Sequence, residues 1–130
     1  MLLVDAAGGV IDYLSAGHVP FVLVAPGEDP RPVDSTAPPL GLLPGVKREA
    51  QRLRLVPGAT LVLVTDGVTE RRLDTIDYGI ERLISATTAA RASTARDALD
   101  ALLADNDRFA GGAPAEDDLT IVVIRRQPES

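Results

Sequence analysis

The apolar run Leu61-Val62-Leu63-Val64 passes directly into Thr65-Asp66-Gly67-Val68-Thr69-Glu70, and this junction constrains what the chain can fold into. A stretch with no polar position to face water fits a buried strand, and the acid and glycine that follow it predict a tight turn. The Asp66 carboxylate is then held at the end of a rigid strand while its oxygens stay at a mouth. Gly67 lets the backbone turn sharply and lets another group approach closely. A second acidic pair, Asp117-Asp118, precedes a second apolar run, Leu119-Thr120-Ile121-Val122-Val123-Ile124. If the two runs pair as strands, both acids converge on one hard cation.

At 130 residues the chain suits one domain with one core. Its 45% hydrophobic and 25% charged residues are the balance of an ordered globular protein. Two tyrosines and two phenylalanines are the only aromatics, so an aliphatic core is expected. A formal net charge of -6 sets the surface against phosphate backbones and argues against nucleic acid as a partner. The absence of cysteine removes disulfides, thiolate metal sites and cysteine nucleophiles. No basic leader precedes an apolar stretch, and no run approaches the roughly 18 residues of a membrane span, so no membrane partner and a cytoplasmic address are expected.

In chain order, Met1-Leu2-Leu3-Val4-Asp5 is strand-like from its first residue, an abrupt opening that suggests a piece of a longer domain. Gly8-Gly9 predicts a hairpin turn into a strand over 10–15, and after a loop holding His18 a further strand covers 21–25. Between Glu28 and Pro39, four prolines predict a surface connection. Leu40-Gly41-Leu42-Leu43-Pro44-Gly45 reads as a packed loop. Gln51-Arg52-Leu53-Arg54-Leu55 alternates as a strand with one wet face, and Pro57-Gly58 turns the chain into 61–64. Three or four strands are thus expected before the first helix.

That helix is predicted to start after Asp77 as N-cap, with Ile80, Leu83 and Ile84 on one face. A second helix opens on the capping-box-like Thr94-Ala95-Arg96-Asp97, turns Leu99, Leu102 and Leu103 inward, and ends at Gly111-Gly112. With a closing strand from about 119 to 125, the order describes an α+β domain with a largely antiparallel sheet.

Several short motifs stand in a telling order: Ala16-Gly17-His18, Leu40-Gly41-Leu42-Leu43, Pro57-Gly58, Thr65-Asp66-Gly67-Val68-Thr69-Glu70, Tyr78-Gly79 with Glu81-Arg82-Leu83, and Asp117-Asp118-Leu119-Thr120. The pattern resembles the metal-dependent protein phosphatases of the PPM, or type 2C, family, and within it the SpoIIE-like bacterial serine/threonine phosphatases. It covers nearly the whole chain. The resemblance implies a sandwich of antiparallel sheets flanked by helices, of which residues 1–130 would form the C-terminal portion. It also implies a two-metal centre, manganese or magnesium, and hydrolysis of phosphoserine or phosphothreonine on a regulatory protein such as an anti-sigma-factor antagonist. In such a centre the ions lower the pKa of a bridging water and neutralise charge developing on the phosphate.

Carried over residue by residue, the resemblance assigns Asp66 and Asp117 as carboxylates that hold one of the two metals. Asp118, where other branches carry asparagine, takes a supporting role in the turn, and Thr69 and Glu70 belong to the motif without a ligand role. No catalytic side chain is assigned. The family's N-terminal motif of the form D-V-x-G-H-G, whose acid bridges both metals, does not occur in this chain, and His18 is no substitute for its histidine. The rival expectation is therefore a truncated, non-catalytic phosphatase-like module that binds a protein partner through the sheet face left bare.

Outside that motif context the same residues have ordinary roles. Asp66 alone reads as a turn residue at a strand end, and Glu116-Asp117-Asp118 as a solvated acidic turn. His18 reads as a loop histidine bonded to nearby backbone. Arg71-Arg72 reads as a charged surface loop rather than a phosphate clamp.

Overall fold

Phe21–Val24 and Thr60–Val64 carry almost no charge or polarity because the sheet they share is covered on both faces. Successive side chains of a strand point to opposite sides. Phe21, Leu23 and Leu61 turn one way and meet Ile11, Leu53 and Leu55. Val22, Val24, Val62 and Val64 turn the other way and meet Val68, Tyr78, Leu83 and Leu102. One continuous apolar run thus builds two cores. Ile11, Leu61, Leu83 and Leu102 are fully buried, each contributing about 1.5–3 kcal/mol by removal from water.

The computed structural model describes residues 1–91 and 94–129. The elements are β1 (Leu2–Asp5), β2 (Val10–Tyr13), β3 (Phe21–Val24), β4 (Arg31–Val33), β5 (Gln51–Arg54), β6 (Thr60–Val64), the short helix α1 (Asp66–Thr69), β7 (Arg72–Leu73), β8 (Ile76–Asp77), α2 (Gly79–Ala89), α3 (Ala95–Phe109) and β9 (Ile121–Arg125). The covered sheet has the order β4-β3-β6-β9, antiparallel throughout. On one face lies a second antiparallel sheet, β1-β2-β5. On the other lie α2 and α3. The result is the α+β sandwich of antiparallel sheets with flanking helices that the sequence pattern implies. Among the described residues no helix is long and apolar enough to cross a membrane.

Local chemistry explains the agreements and the departures. Thr94 caps α3 as a full capping box: its side chain accepts from the Asp97 amide at 3.0 Å, and Asp97 Oδ2 accepts from the Thr94 amide at 3.2 Å, an arrangement that contributes about 1 kcal/mol. The proline-rich 28–39 segment contains a strand, β4, which the sequence reading treats as loop. Pro32 is tolerated there because β4 is an edge strand and needs no ladder donor on its outer side. Asp77 is not a helix cap: it ends β8 and accepts from Arg72 Nε at 2.9 Å, while the chain enters α2 through Tyr78 in helical geometry without a side-chain cap. Leu40, Leu42 and Leu43 are 74%, 65% and 54% exposed, so this loop is not packed. Eight strands, rather than three or four, precede α2, the helix expected after Asp77.

Tyr78 ties the start of α2 to α3. Its hydroxyl donates to Asp105 Oδ2 at 2.7 Å, its ring meets Phe109 edge-on at 5.4 Å, and the Arg82 guanidinium lies 4.7 Å from the Phe109 ring centre. Burial, and secondarily the bond to Asp105, pushes the phenol well above its ordinary value of 10.0. Above about pH 10 the unfolded chain releases a proton that the folded chain keeps, so stability must fall as pH rises. The urea midpoint is expected to drop between about pH 8 and about pH 10.5, and to drop less in Tyr78→Phe, which lacks the titrating group. Equal drops in the two proteins would show that Tyr78 does not carry this dependence.

Candidate metal centre

The register of β6 against β9 decides where the acids go. Val64 pairs with Ile121, so the end of β6 lies beside the start of β9. Thr65 extends the pairing: its amide donates to the Thr120 carbonyl at 3.1 Å, and its Oγ1 accepts from the Thr120 amide at 3.0 Å and donates to the Asp118 carbonyl at 3.2 Å. Asp66 then opens α1 on one side of this seam, and Asp117-Asp118 precede β9 on the other. The two runs pair as the sequence suggests.

Gly67 explains how closely the two segments meet. A Cβ at this position would fall on the Asp118 carbonyl oxygen. Its φ is not positive, so the glycine serves close backbone approach, and the tight turn expected after the strand takes the form of one helical turn.

Asp66 is exposed, and its carboxylate has no hydrogen bond or ion pair among the described residues. Its backbone carbonyl accepts from the Glu70 amide at 2.7 Å and from Thr69 Oγ1 at 3.3 Å, which fixes α1 and leaves the acid free. Asp117 Oδ1 accepts from the Asp118 amide at 2.7 Å, and this local bond orients the Asp117 side chain while its other oxygen stays available. Asp118 contributes its carbonyl to the seam with Thr65. Beside the seam is a cleft of about 200 Å³ whose lining includes Glu70, Arg72, Glu116 and Asp117. His18 stands apart: its Nδ1 donates to the Val19 carbonyl at 2.7 Å, and its ring lies against Phe21 at 5.5 Å.

The two neighbouring arginines have separate fates. Arg72 is exposed and spans the β7–β8 hairpin to Asp77. Arg71 is only 8% exposed, against the surface-loop reading of the sequence. Its Nη1 donates to Asn106 Oδ1 at 3.3 Å, its Nη2 donates to the Ala113 carbonyl, and Asp107 lies 3.4 Å away. Asn106 is fully buried and donates to the Val68 carbonyl at 3.1 Å. The sequence carried one usable signal for this pair, since Asn106 falls four residues after Leu102 on the buried stripe of α3.

Carboxylate oxygens suit a hard divalent cation such as magnesium or manganese, and no soft donor competes. Among the described residues no group of three or more histidine, aspartate or glutamate side chains converges to hold a metal. The fit is therefore one of donor chemistry and not of ligand number.

Comparison with known proteins matches this fold as a whole. The family model described as Stage II sporulation protein E (SpoIIE) fits residues 1–127. The chain belongs to the SpoIIE family. Protein IcfG of Synechocystis sp. (strain ATCC 27184 / PCC 6803 / Kazusa) is 32% identical over 126 residues, covering 95% of this chain and 20% of that protein. The phosphatase domain of the cell fate determinant SpoIIE from Bacillus subtilis, presoaked with Mn, superposes with a TM-score of 0.78 at 18% identity, over 100% of this chain and 56% of that one. The SiaA-PP2C domain of Pseudomonas aeruginosa gives 0.78 at 21% identity, over 95% of this chain and 49% of that one. The RsbU and RsbW domains of Rv1364c from Mycobacterium tuberculosis give 0.73 at 27% identity, over 98% and 36%. The chain thus spans about half of the SpoIIE-family phosphatase domains and a fifth of the curated relative.

The contact at Gly67 is directly testable. Gly67→Ala is expected to lower stability by about 1–3 kcal/mol in urea denaturation, because its methyl group forces apart the two segments that bear the acids. An unchanged midpoint would show that they do not meet there.

Proposed function

We propose that this chain carries the Asp66 and Asp117 edge of a metal-dependent protein serine/threonine phosphatase centre, acting on phosphoserine or phosphothreonine in a regulatory protein. One observation carries this reading: the pairing of β6 with β9 sets two exposed carboxylates, Asp66 without a protein partner, at one end of a sheet covered on both faces. Bound manganese or magnesium would supply charge neutralisation at the phosphoryl oxygens and activation of a water. The chain's own residues hold the acids in place, through the Thr65 seam and the contact of Gly67 with Asp118. Glu70, Glu116 and Asp117 line the adjoining cleft together with Arg71 and Arg72, and the whole chain carries a net charge of -6. Bound cations would relieve the repulsion that a negatively charged chain presents to a phosphate.

Family membership, and the likeness to a cell fate determinant and to a chain with RsbU and RsbW domains, support a regulatory phosphoprotein as substrate. The class we propose is a phosphorylated anti-sigma-factor antagonist, met in the cytoplasm. A second reading has its own observation. Among the described residues β1 is the edge strand of its sheet, and along it Leu3 is 70% and Val4 43% exposed. An open apolar edge of this kind suits a non-catalytic module that binds a protein partner by strand addition.

Calorimetric titration of manganese into the chain, with phosphoserine-peptide hydrolysis in parallel, separates the two. The phosphatase reading expects measurable binding, metal-dependent turnover, and affinity weakened at least about tenfold in Asp66→Asn and in Asp117→Asn. Binding weaker than millimolar with no turnover would assign the chain to the partner-binding reading.

A further inference from the structure

Asp66 and Asp117 are separated by most of the C-terminal half of the chain, and Thr65 and Gly67 join their segments on the strand side only. On the helix side the link is polar and buried. Asn106, on α3, donates to the Val68 carbonyl two residues beyond Asp66 and accepts from Arg71 Nη1. Arg71 in turn donates to the Ala113 carbonyl, four residues before Asp117. The path from α1 through two side chains to the segment before β9 is continuous, and Asn106 anchors it to the longest helix.

Fold stability alone does not account for this choice of residues. The Arg71 side chain is 7% exposed while its ion partner Asp107 is 68% exposed, and the Arg71 Nε is buried without a partner. Apolar side chains of similar volume commonly serve stability as well as or better than a buried charge paired in this way. A planar fork with several donors has a different merit, since it fixes two acceptors, one on α3 and one in the loop that leads to Asp117, against the segment that follows α1.

We propose that Arg71 and Asn106 are positioning residues that set the spacing of the Asp66 and Asp117 segments. The inference deepens the metal-centre reading and rests on it for its purpose, but the spacing itself is measurable without metal. Hydrogen exchange on the metal-free chain provides that measurement for Asn106→Leu and Arg71→Met, which keep approximate shape and remove the polar links. The amides of Glu70, bonded to the Asp66 carbonyl, and of Thr120, bonded to Thr65 Oγ1, are expected to exchange at least about tenfold faster in both variants. The amides of Leu23 and Val62 in the covered sheet should keep their protection.

Unchanged exchange at Glu70 and Thr120, or equal acceleration throughout the sheet, would overturn the proposal. If Asn106→Leu does not fold, Arg71→Met decides, because it leaves the Asn106 bond to Val68 in place. Manganese affinity gives a second arm: a loss of about tenfold in the folded variants supports positioning, and an unchanged affinity overturns it. If the unaltered chain binds no manganese, the metal reading of Asp66 and Asp117 fails, and the exchange result still decides whether Arg71 and Asn106 set the spacing.

Discussion

Strand β6 contributes Leu61 to the core between the sheets and Val62 and Val64 to the core beneath the helices. Its sideways position is therefore fixed from both faces, and its register is fixed as well, because a slip of one residue would exchange the two sets of side chains between cores. β9 pairs with it over five residues, from Thr60 with Arg125 to Val64 with Ile121. The location of Asp66 relative to Asp117 follows from that register. A site built at the end of this ladder inherits the rigidity of the sheet without spending polar residues inside it.

The elements legible in the sequence are those whose signal is local or periodic. The runs at 61–64 and 121–124 identify β6 and β9, and the Thr94–Asp97 pair identifies the start of α3 by chemistry confined to four residues. β4 was hidden because proline argues against a strand unless the strand is at an edge, and edge position is a property of the whole sheet. Asp77 offered a plausible cap, yet its carboxylate is engaged with Arg72 across the β7–β8 hairpin, a contact that no helix-start pattern encodes. Leu40, Leu42 and Leu43 look like core by composition and lie outside it.

The same distinction divides the candidate site. The acids and the glycine were readable because they interrupt apolar runs, and the close approach at Gly67 follows from its lack of a side chain. Arg71 and Asn106 were not readable as a pair, since each is polar and the reason for burying one is the presence of the other. A buried amide left alone costs about 1–3 kcal/mol, and a buried charge costs more. Only the tertiary arrangement, which brings Val68 and Ala113 carbonyls within reach of both, makes their burial acceptable.

Acidic side chains that line one cleft have opposite consequences for folding and for cation binding. Without a cation the like charges of Glu70, Glu116 and Asp117 favour separation of the segments that carry them. Contacts that resist separation must then be insensitive to that charge. The seam at Thr65 and the approach of Gly67 use neutral groups, and the link through Arg71 and Asn106 brings a buried guanidinium to the lining of the same cleft. Its positive charge offsets part of the repulsion while its fork holds both segments. The carboxylate of Asp66 stays exposed and without a protein partner among the described residues, so this stabilisation does not consume it.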